Sequence, residues 1–573
     1  MLAAIGILAA VVASAPVNGV AAGRTWYVSA LAGNDANDGL AAGRALRGLD
    51  IAVRRLSPGD TLVVMPGGYF HAPVEIDGAS TAERPTWIRA EPRGEATVTA
   101  EWPEAGQGKT AWKRGSDGLW AARHGPVLFG GVEGMFLFRY MTRKDLRASA
   151  CRTRGDEGGF GGKVVGPESG FACERGTVYL RLPGDADPNG KHITFSAPSW
   201  GEKGTTPVIR VRNSPGLIVD GLRIRGSGTY GIAIDRDSPG PVVRNCVFEY
   251  CRNAVALPDR ALVERCEHSY PGFHDFSQEV KRRNGGELRT YPLTKEYHPS
   301  NWYEGGIAEH AGGETPPVKC EFRFNYMHDL FDGENLGNFD DSESHHNVYL
   351  HCYDNCVEME GWQKGFGSRH LRFHHNLLLS CPQAPLSHQN SDELMGPHEV
   401  DHNVIAGFDD TGANPWVLIK SQCYGKGRGF RYHHNLFWVD SAEPYWNEQD
   451  WPQEWLTTFE FRNNVFVFTK RMKRPTGPHG SASLFVASGN VLVAADANPE
   501  IRDALLRNGG REYPDPAALG FVDPARLDFG LKPGSPLVDA GPFGPGETPG
   551  PDWPRPRRTV FNEDPPGGSI RLR

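Results

Sequence analysis

Outside residues 2–15, no run in this chain approaches the ~20 apolar residues that a membrane-spanning helix needs. Long helical heptads are missing as well, so a bundle or coiled coil is excluded and helix should be a minor element. There is no basic excess: 61 Lys and Arg against 69 Asp and Glu leave a formal charge of -8. That balance argues against nucleic acid as a partner, because a polyanion binder presents a basic face. Zinc-finger spacing is also lacking, since Cys352-x-x-x-Cys356 has no second pair. The chain does have 70 Gly and 44 Pro with only 39% hydrophobic residues, which suits many short strands joined by turns.

A short phrase recurs down the second half: His346-Asn347-Val348, His375-Asn376-Leu377, His402-Asn403-Val404, His434-Asn435-Leu436 and Asn463-Asn464-Val465. Successive Asn are 29, 27, 32 and 29 residues apart, and Asn325 lies 22 before the first. One turn plus short strands therefore repeats with loops of variable length. Such a unit cannot bury its apolar face alone. Stacked units pair strand on strand at roughly 4.8 Å and set like residues in ladders along the axis, which predicts an all-β, right-handed parallel β-helix. A solenoid also reconciles 573 residues with one elongated domain, because each coil contacts only its neighbours.

The small and apolar run Leu2 to Ala15, with Val20-Ala21-Ala22 after it, predicts a signal peptide over 1–22 and a secreted or periplasmic protein. The β-helix is expected over 23–540. A short helix at 45–56, carrying Leu46, Leu49, Ala52, Val53 and Leu56, would cap its open end. Three stretches break the rhythm: a β-rich insertion at about 110–200, a polar and aromatic one at 268–319, and one at 441–455 carrying Trp446, Trp451 and Trp455. The Pro- and Gly-rich tail over 541–573 reads as extended chain. Of the ten Cys, Cys151 with Cys173 is the disulfide to test first. Cys352 and Cys381 each follow a ladder Asn by five residues and read as stacked buried thiols.

Several phrases, namely Trp26-Tyr27-Val28-Ser29 with its Asn-Asp-Gly turn, Pro58-Gly59-Asp60-Thr61, Pro66-Gly67-Gly68-Tyr69, the Asn ladder, and Gly520-Phe521-Val522-Asp523-Pro524 with Leu531 to Gly541, resemble the β-helix repeat proteins of the pectate-lyase-like superfamily. That resemblance implies the fold, and with it a range of activities: pectate and alginate lyases, polygalacturonases, xylosidases, epimerases and binding proteins. The polygalacturonase pattern of Asn-Thr-Asp with Gly-His-Gly is absent. The coil Asp354-Asn355-Cys356-Val357-Glu358-Met359-Glu360-Gly361 resembles the acidic coil of several members, calcium-dependent lyases among them.

Alternation in that coil turns Val357 and Met359 into the bore and sends Glu358 and Glu360 to one outer face, about 7 Å apart at Cα. Matching Gly337 to Gly361 lays Glu334 beside Glu358, so three carboxylates would share a solvent-facing wall. Ser387 with Gln389, then Leu418 with Lys420, follow in the next coils, while His388 could face either way. Crowded carboxylates split their pKa values, as glycoside hydrolysis requires. The expected enzyme is therefore a glycosidase using Glu358 and Glu360, with Glu334 or Asp354 as alternative partner and no cofactor. Lys420, His388, Gln389, Trp416 and Trp446 would bind a polysaccharide or oligosaccharide. The alternative is a calcium-dependent polysaccharide lyase, in which Asp332, Asp340, Asp341, Asp354 and Glu358 hold Ca²⁺ and Lys420 takes the proton beside a uronate carboxyl. Its cationic site would come from Arg369, Arg372 or the run Lys281-Arg282-Arg283. A non-catalytic glycan binder is the third possibility. The aligned His346, His375, His402 and His434 read as fillers of a repeating surface slot, because metal ligands must converge on a point.

Overall fold

The repeating unit is visible in one coil. Glu343–His345 forms a strand, His346 and Asn347 turn the chain, Val348–Cys352 forms a second strand, and Asn355–Glu358 a third. Alternation along each strand buries every second side chain in the bore, as with Phe322, Ser344, Phe373, Val400 and Tyr432 in the first strands of five coils. At the turn, the residue before each ladder Asn adopts a left-handed backbone, with φ of 56° at Phe324, 55° at His346, 53° at His375, 54° at His402 and 57° at His434. That conformation costs a non-glycine residue roughly 1–2 kcal/mol. It brings the next residue, the Asn, into the wall of the tube.

There the Asn side chains bond coil to coil. The backbone N–H groups of Asn325, Asn347, Asn376, Asn403, Asn435 and Asn464 each donate to the side-chain Oδ1 of the next ladder Asn, at 2.8–3.0 Å. Each Nδ2 donates back to a main-chain carbonyl of the preceding coil, as Asn403 does to Phe373 at 2.9 Å and Asn435 to Val400 at 2.8 Å. All of these Asn are buried, and Asn490 ends the series.

The computed structural model describes residues 23–70, 73–153, 162–196, 207–289, 306–310, 315–359, 368–390, 394–407, 415–423, 426–427, 429–443, 446–447, 459–473 and 486–537. The expected leader at 1–22 and tail at 541–573 lie outside them. Among these residues the strands form a right-handed parallel β-helix. Its first sheet has 13 parallel strands from Thr25–Val28 to Val486–Ser488, and its second has 16, including Gly67–Phe70 and Val491–Ala494. A third sheet stacks Glu334–Asn335, Asn355–Glu358, Ala384–Asn390, Ile419–Cys423 and Trp446–Asn447. Aromatic rings stack along the axis, with Tyr432 on Phe461 at 5.0 Å and Phe437 on Phe466 at 4.8 Å.

Between the coil strands Ala96–Thr99 and Ile209–Arg212 the chain builds a separate seven-stranded sheet, from Lys113–Arg114 to Ile193–Phe195, with its own apolar cluster around Leu137, Phe171 and Leu180. The helix Phe273–Arg283 packs on that sheet's strand Met135–Tyr140, with Phe136 against Phe273 at 5.0 Å and Phe138 against Phe276 at 5.4 Å. The closing sequence motif covers the outer face of the second sheet, where Leu519, Phe521, Phe529 and Leu537 cluster with Val404, Trp438 and Val465. No helix among the described residues is long and apolar enough to cross a membrane.

Two details differ from expectation. The N-terminal helix spans only Leu49–Val53, because the chain first makes a 3₁₀ turn at Ala42–Arg44; Leu49, Ala52 and Val53 are buried in the main core. The disulfide joins Cys356 to Cys381 on successive coils, with Cα atoms 6.3 Å apart, while Cys151, Cys173 and Cys352 are free thiols. The bend after Leu377–Leu379 turns Cys381 toward the third sheet, and Cys352 is left as a buried thiol.

The ladder yields a direct test. Replacing Asn403 by Ala strands the backbone N–H of Asn376 and the carbonyl of Phe373, both in the interior. Chemical denaturation should show a loss of about 2–4 kcal/mol, since each orphaned buried polar group costs ~1–3 kcal/mol. An unchanged midpoint would mean that the ladder contributes nothing.

Candidate active site on the third sheet

Register on the third sheet decides which side chains meet. Glu334 pairs with Val357, and Asn335 with Glu358. Val357, Leu386 and Ile419 are aligned and sit in the apolar core, so the neighbouring positions Asn335, Glu358, Ser387 and Lys420 form a row on the opposite face. The expected alignment of Glu334 with Glu358 is therefore off by one residue, and with a side-chain period of two this sends Glu334 to the other face. Glu334 lies in the bore, 0% exposed, where Ser344 Oγ donates to it at 2.8 Å and the Tyr349 hydroxyl also donates. Burial pushes its carboxyl up from 4.5 to about 7, against the lowering effect of the Tyr349 and Ser344 hydrogen bonds. It points away from the face that carries Glu358.

The acid group on the wall consists instead of Asp332, Asp354 and Glu358, each placing a carboxylate oxygen within 4.8 Å of the other two. Asp354 and Glu358 come from one coil and Asp332 from the coil before. Asn355 ties them together: its N–H donates to Asp332 at 3.1 Å and its Nδ2 to Glu358 at 2.7 Å. Its Oδ1 is buried and has no hydrogen-bond partner among the described residues. The wall is also less open than expected, with Asp354 at 0%, Glu358 at 7% and Lys420 at 4% exposure. Ser387 stands between Glu358 and Lys420 and is buried too. The three carboxylates suit a hard cation of the Ca²⁺ class, which takes oxygen ligands only.

Other expected site residues fall elsewhere. His388 faces the bore, with its Nε2 on the Tyr432 hydroxyl and its ring against Phe430 at 4.6 Å, because it follows the outward Ser387 by one residue. Asp340 does not join the acid group; it accepts from Arg369 at 2.8 and 3.1 Å at the turn before the first sheet. Asp341 belongs to that same turn, its N–H donating to the Arg369 carbonyl at 2.9 Å. Of the cations proposed for a lyase, Arg369 is engaged with Asp340, Arg372 with Asp401 and Arg283 with Glu168. Trp416 is 36% exposed at the bend leading into Ile419–Cys423. The backbone of Trp446 pairs with Lys420 and that of Gln389 with Gln422, but the side chains of Trp446 and Gln389 lie outside the described residues, as does Glu360.

A polar knot missed in the sequence lies where the helix Phe273–Arg283 meets the corner between the second and third sheets. His274 stacks on His351 at 3.7 Å, and its Nδ1 meets the Tyr353 hydroxyl at 2.7 Å. Asp329 holds His328 at 3.0 Å and His351 at 3.2 Å. Burial alone would lower the His328 imidazole, but Asp329 and Glu267 outweigh it and hold it up at about 10. The pairing of Asp329 with His351 on adjacent coils follows from register and has no local motif.

No family model matches the chain, and no curated protein matches it in sequence. Among solved structures, it is similar to XylC in complex with xylose at TM-score 0.49 and 11% identity, over 87% of this chain and 88% of that one. A glycoside hydrolase is similar at TM-score 0.43 and 11% identity, over 77% and 96%. The pectate lyase Pel9A is similar at TM-score 0.42 and 11% identity, over 95% and 98%.

The bore carboxyl is testable by linkage. With its folded pKa raised to about 7, Glu334 keeps a proton that the unfolded chain releases near 4.5, so its contribution falls as pH rises from ~4.5 to 7 and is level above. Relative to wild type, Glu334→Gln should therefore gain on the order of 3 kcal/mol between pH 4 and 8 in denaturation experiments. A wild-type-minus-variant difference independent of pH would contradict this placement.

Proposed function

We propose that the protein is an exported carbohydrate-active enzyme that cleaves an acidic polysaccharide by β-elimination, with Lys420 as the base. The observation that carries this reading is the register of Glu358, Ser387 and Lys420 on three successive rungs of one face. It sets the acid group and the lysine on the same side, roughly 10 Å apart at Cα across two rungs. Asp332, Asp354 and Glu358 would hold a Ca²⁺-class cation. When bound, such an ion supplies a positive charge that draws in a uronate carboxylate and acidifies the C–H beside it.

The remaining work falls to the chain's own groups. Lys420 takes the C5 proton of the uronate on Nζ. The C5–H electron pair becomes the C4=C5 double bond, the C4–O bond breaks toward oxygen, and the leaving oxygen takes a proton from solvent. Ser387, on the rung between, orients the sugar by hydrogen bonding. Near-complete burial of Glu358 and Lys420 keeps bulk water from screening these charges.

Retaining hydrolysis is the second reading. It is favoured by the closeness of the wall carboxylates, whose oxygens within 4.8 Å resemble the roughly 5–5.5 Å spacing of retaining glycosidases. Asp354 and Glu358 would then share the acid and nucleophile roles without a cofactor.

Product analysis across uronic-acid and neutral polysaccharides separates the readings. Elimination gives an unsaturated, ultraviolet-absorbing end that EDTA abolishes and Ca²⁺ restores. Lys420→Met and Glu358→Gln should each lower the rate by about 10²–10⁴-fold with folding intact. New reducing ends without ultraviolet absorbance, insensitive to EDTA, would replace elimination with hydrolysis. Glycan retention without cleavage would leave a binding protein.

A further inference from the structure

The turn between the first and second sheets carries two columns of side chains. In one, His346, His375, His402 and His434 stack at 5.1, 4.9 and 5.0 Å, nearly parallel. Parallel rings aim their nitrogens in parallel, so this column alone offers no point of convergence. The second column holds the last residue of each first-sheet strand: His345, His374, Asp401 and His433. Its rings stand at 82–89° to those of the first. Across the gap Nδ1 faces Nδ1, at 2.7 Å for His345 and His346, 2.9 Å for His374 and His375, and 3.0 Å for His433 and His434.

Two nitrogens 2.9 Å apart, each bound at about 2.0–2.1 Å, subtend about 90° at a metal ion. That is the cis angle of a tetragonal ion, below the tetrahedral angle of structural zinc. Beside the pair His374 and His375, Asp401 on the adjacent strand brings a carboxylate oxygen within 4.8 Å of one ring nitrogen of each. Arg372 bonds both oxygens of Asp401 at 3.0 Å and neutralises much of its charge, which leaves the imidazole pair as the principal donors.

We propose that His374 and His375, with Asp401 as third donor, bind a divalent ion of the Cu²⁺ or Ni²⁺ class, and that the pairs His345 with His346 and His433 with His434 repeat the two-nitrogen arrangement. The site is separate from the acid wall of the third sheet, whose oxygen donors select a different kind of ion.

Titration of the full chain with CuCl₂, followed by calorimetry and electron paramagnetic resonance, tests the proposal. Wild type should bind Cu²⁺ saturably with nitrogen hyperfine coupling. Because Asn463 already occupies the same column with φ 52°, Asn fits the turn, and a His346→Asn, His375→Asn, His434→Asn variant should fold and lose about tenfold or more in affinity. A single His374→Gln variant should lose coupling to one nitrogen at the central site. Glu358→Gln should bind Cu²⁺ as wild type does. No saturable binding by wild type, unchanged binding in the folded His variants, or loss of binding in Glu358→Gln would each overturn it.

Discussion

The amide ladder from Asn325 to Asn490 is the interaction on which the rest of the molecule depends. Main-chain hydrogen bonds between parallel strands are satisfied at any register that keeps strands side by side. A buried Asn whose Oδ1 accepts from the main chain of the preceding coil, and whose Nδ2 donates to it, is satisfied at one register only. The ladder therefore fixes the phase of each coil and, through the left-handed residue before it, the turn that feeds the second sheet. The apolar stacks inside, such as Phe437 on Phe466, favour the same phase but would tolerate repacking more readily.

Phase fixed at one corner propagates to the site at another. From Asn347 the chain runs through Val348–Cys352 to Asn355–Glu358, and from Asn376 through Leu377–Leu379 to Ala384–Asn390. Glu358, Ser387 and Lys420 meet on one face because their coils are held in step. The same rule explains the two carboxylates that part company. Glu334 and Glu358 are one register position out of step, and that single residue separates a group sealed beneath Tyr349 from one on the wall. A β-helix can thus hold similar residues a few ångströms apart in different dielectric surroundings, with Glu334 at about 7 by burial.

Periodicity made the fold readable: each ladder Asn leaves a local phrase, and strand alternation follows from it. Lys420 and Ser387 were readable for the same reason, since they lie on regular strands. Glu334 was not, because its strand is only two residues long and the matching Gly337 and Gly361 do not mark equivalent positions. Asn490 escaped notice because Gly489 takes the place of the usual His before it. The Cys356 to Cys381 bridge and the Asp329 with His351 contact join residues by coil geometry, which depends on loop lengths that spacing does not reveal. The facing imidazole columns had a signal in the doublets His345-His346, His374-His375 and His433-His434, but the stacked column alone concealed the perpendicular one.

The central claim is that register places Glu358, Ser387 and Lys420 side by side and leaves Glu334 within the tube. A crystal structure of the Lys420→Met variant soaked with a uronate oligosaccharide and Ca²⁺ tests this most directly. The account predicts a sugar carboxylate and the cation at Asp332, Asp354 and Glu358, with the ring lying over Ser387 toward residue 420. Oligosaccharide bound on another face, or Glu334 on the wall in contact with sugar, would contradict it.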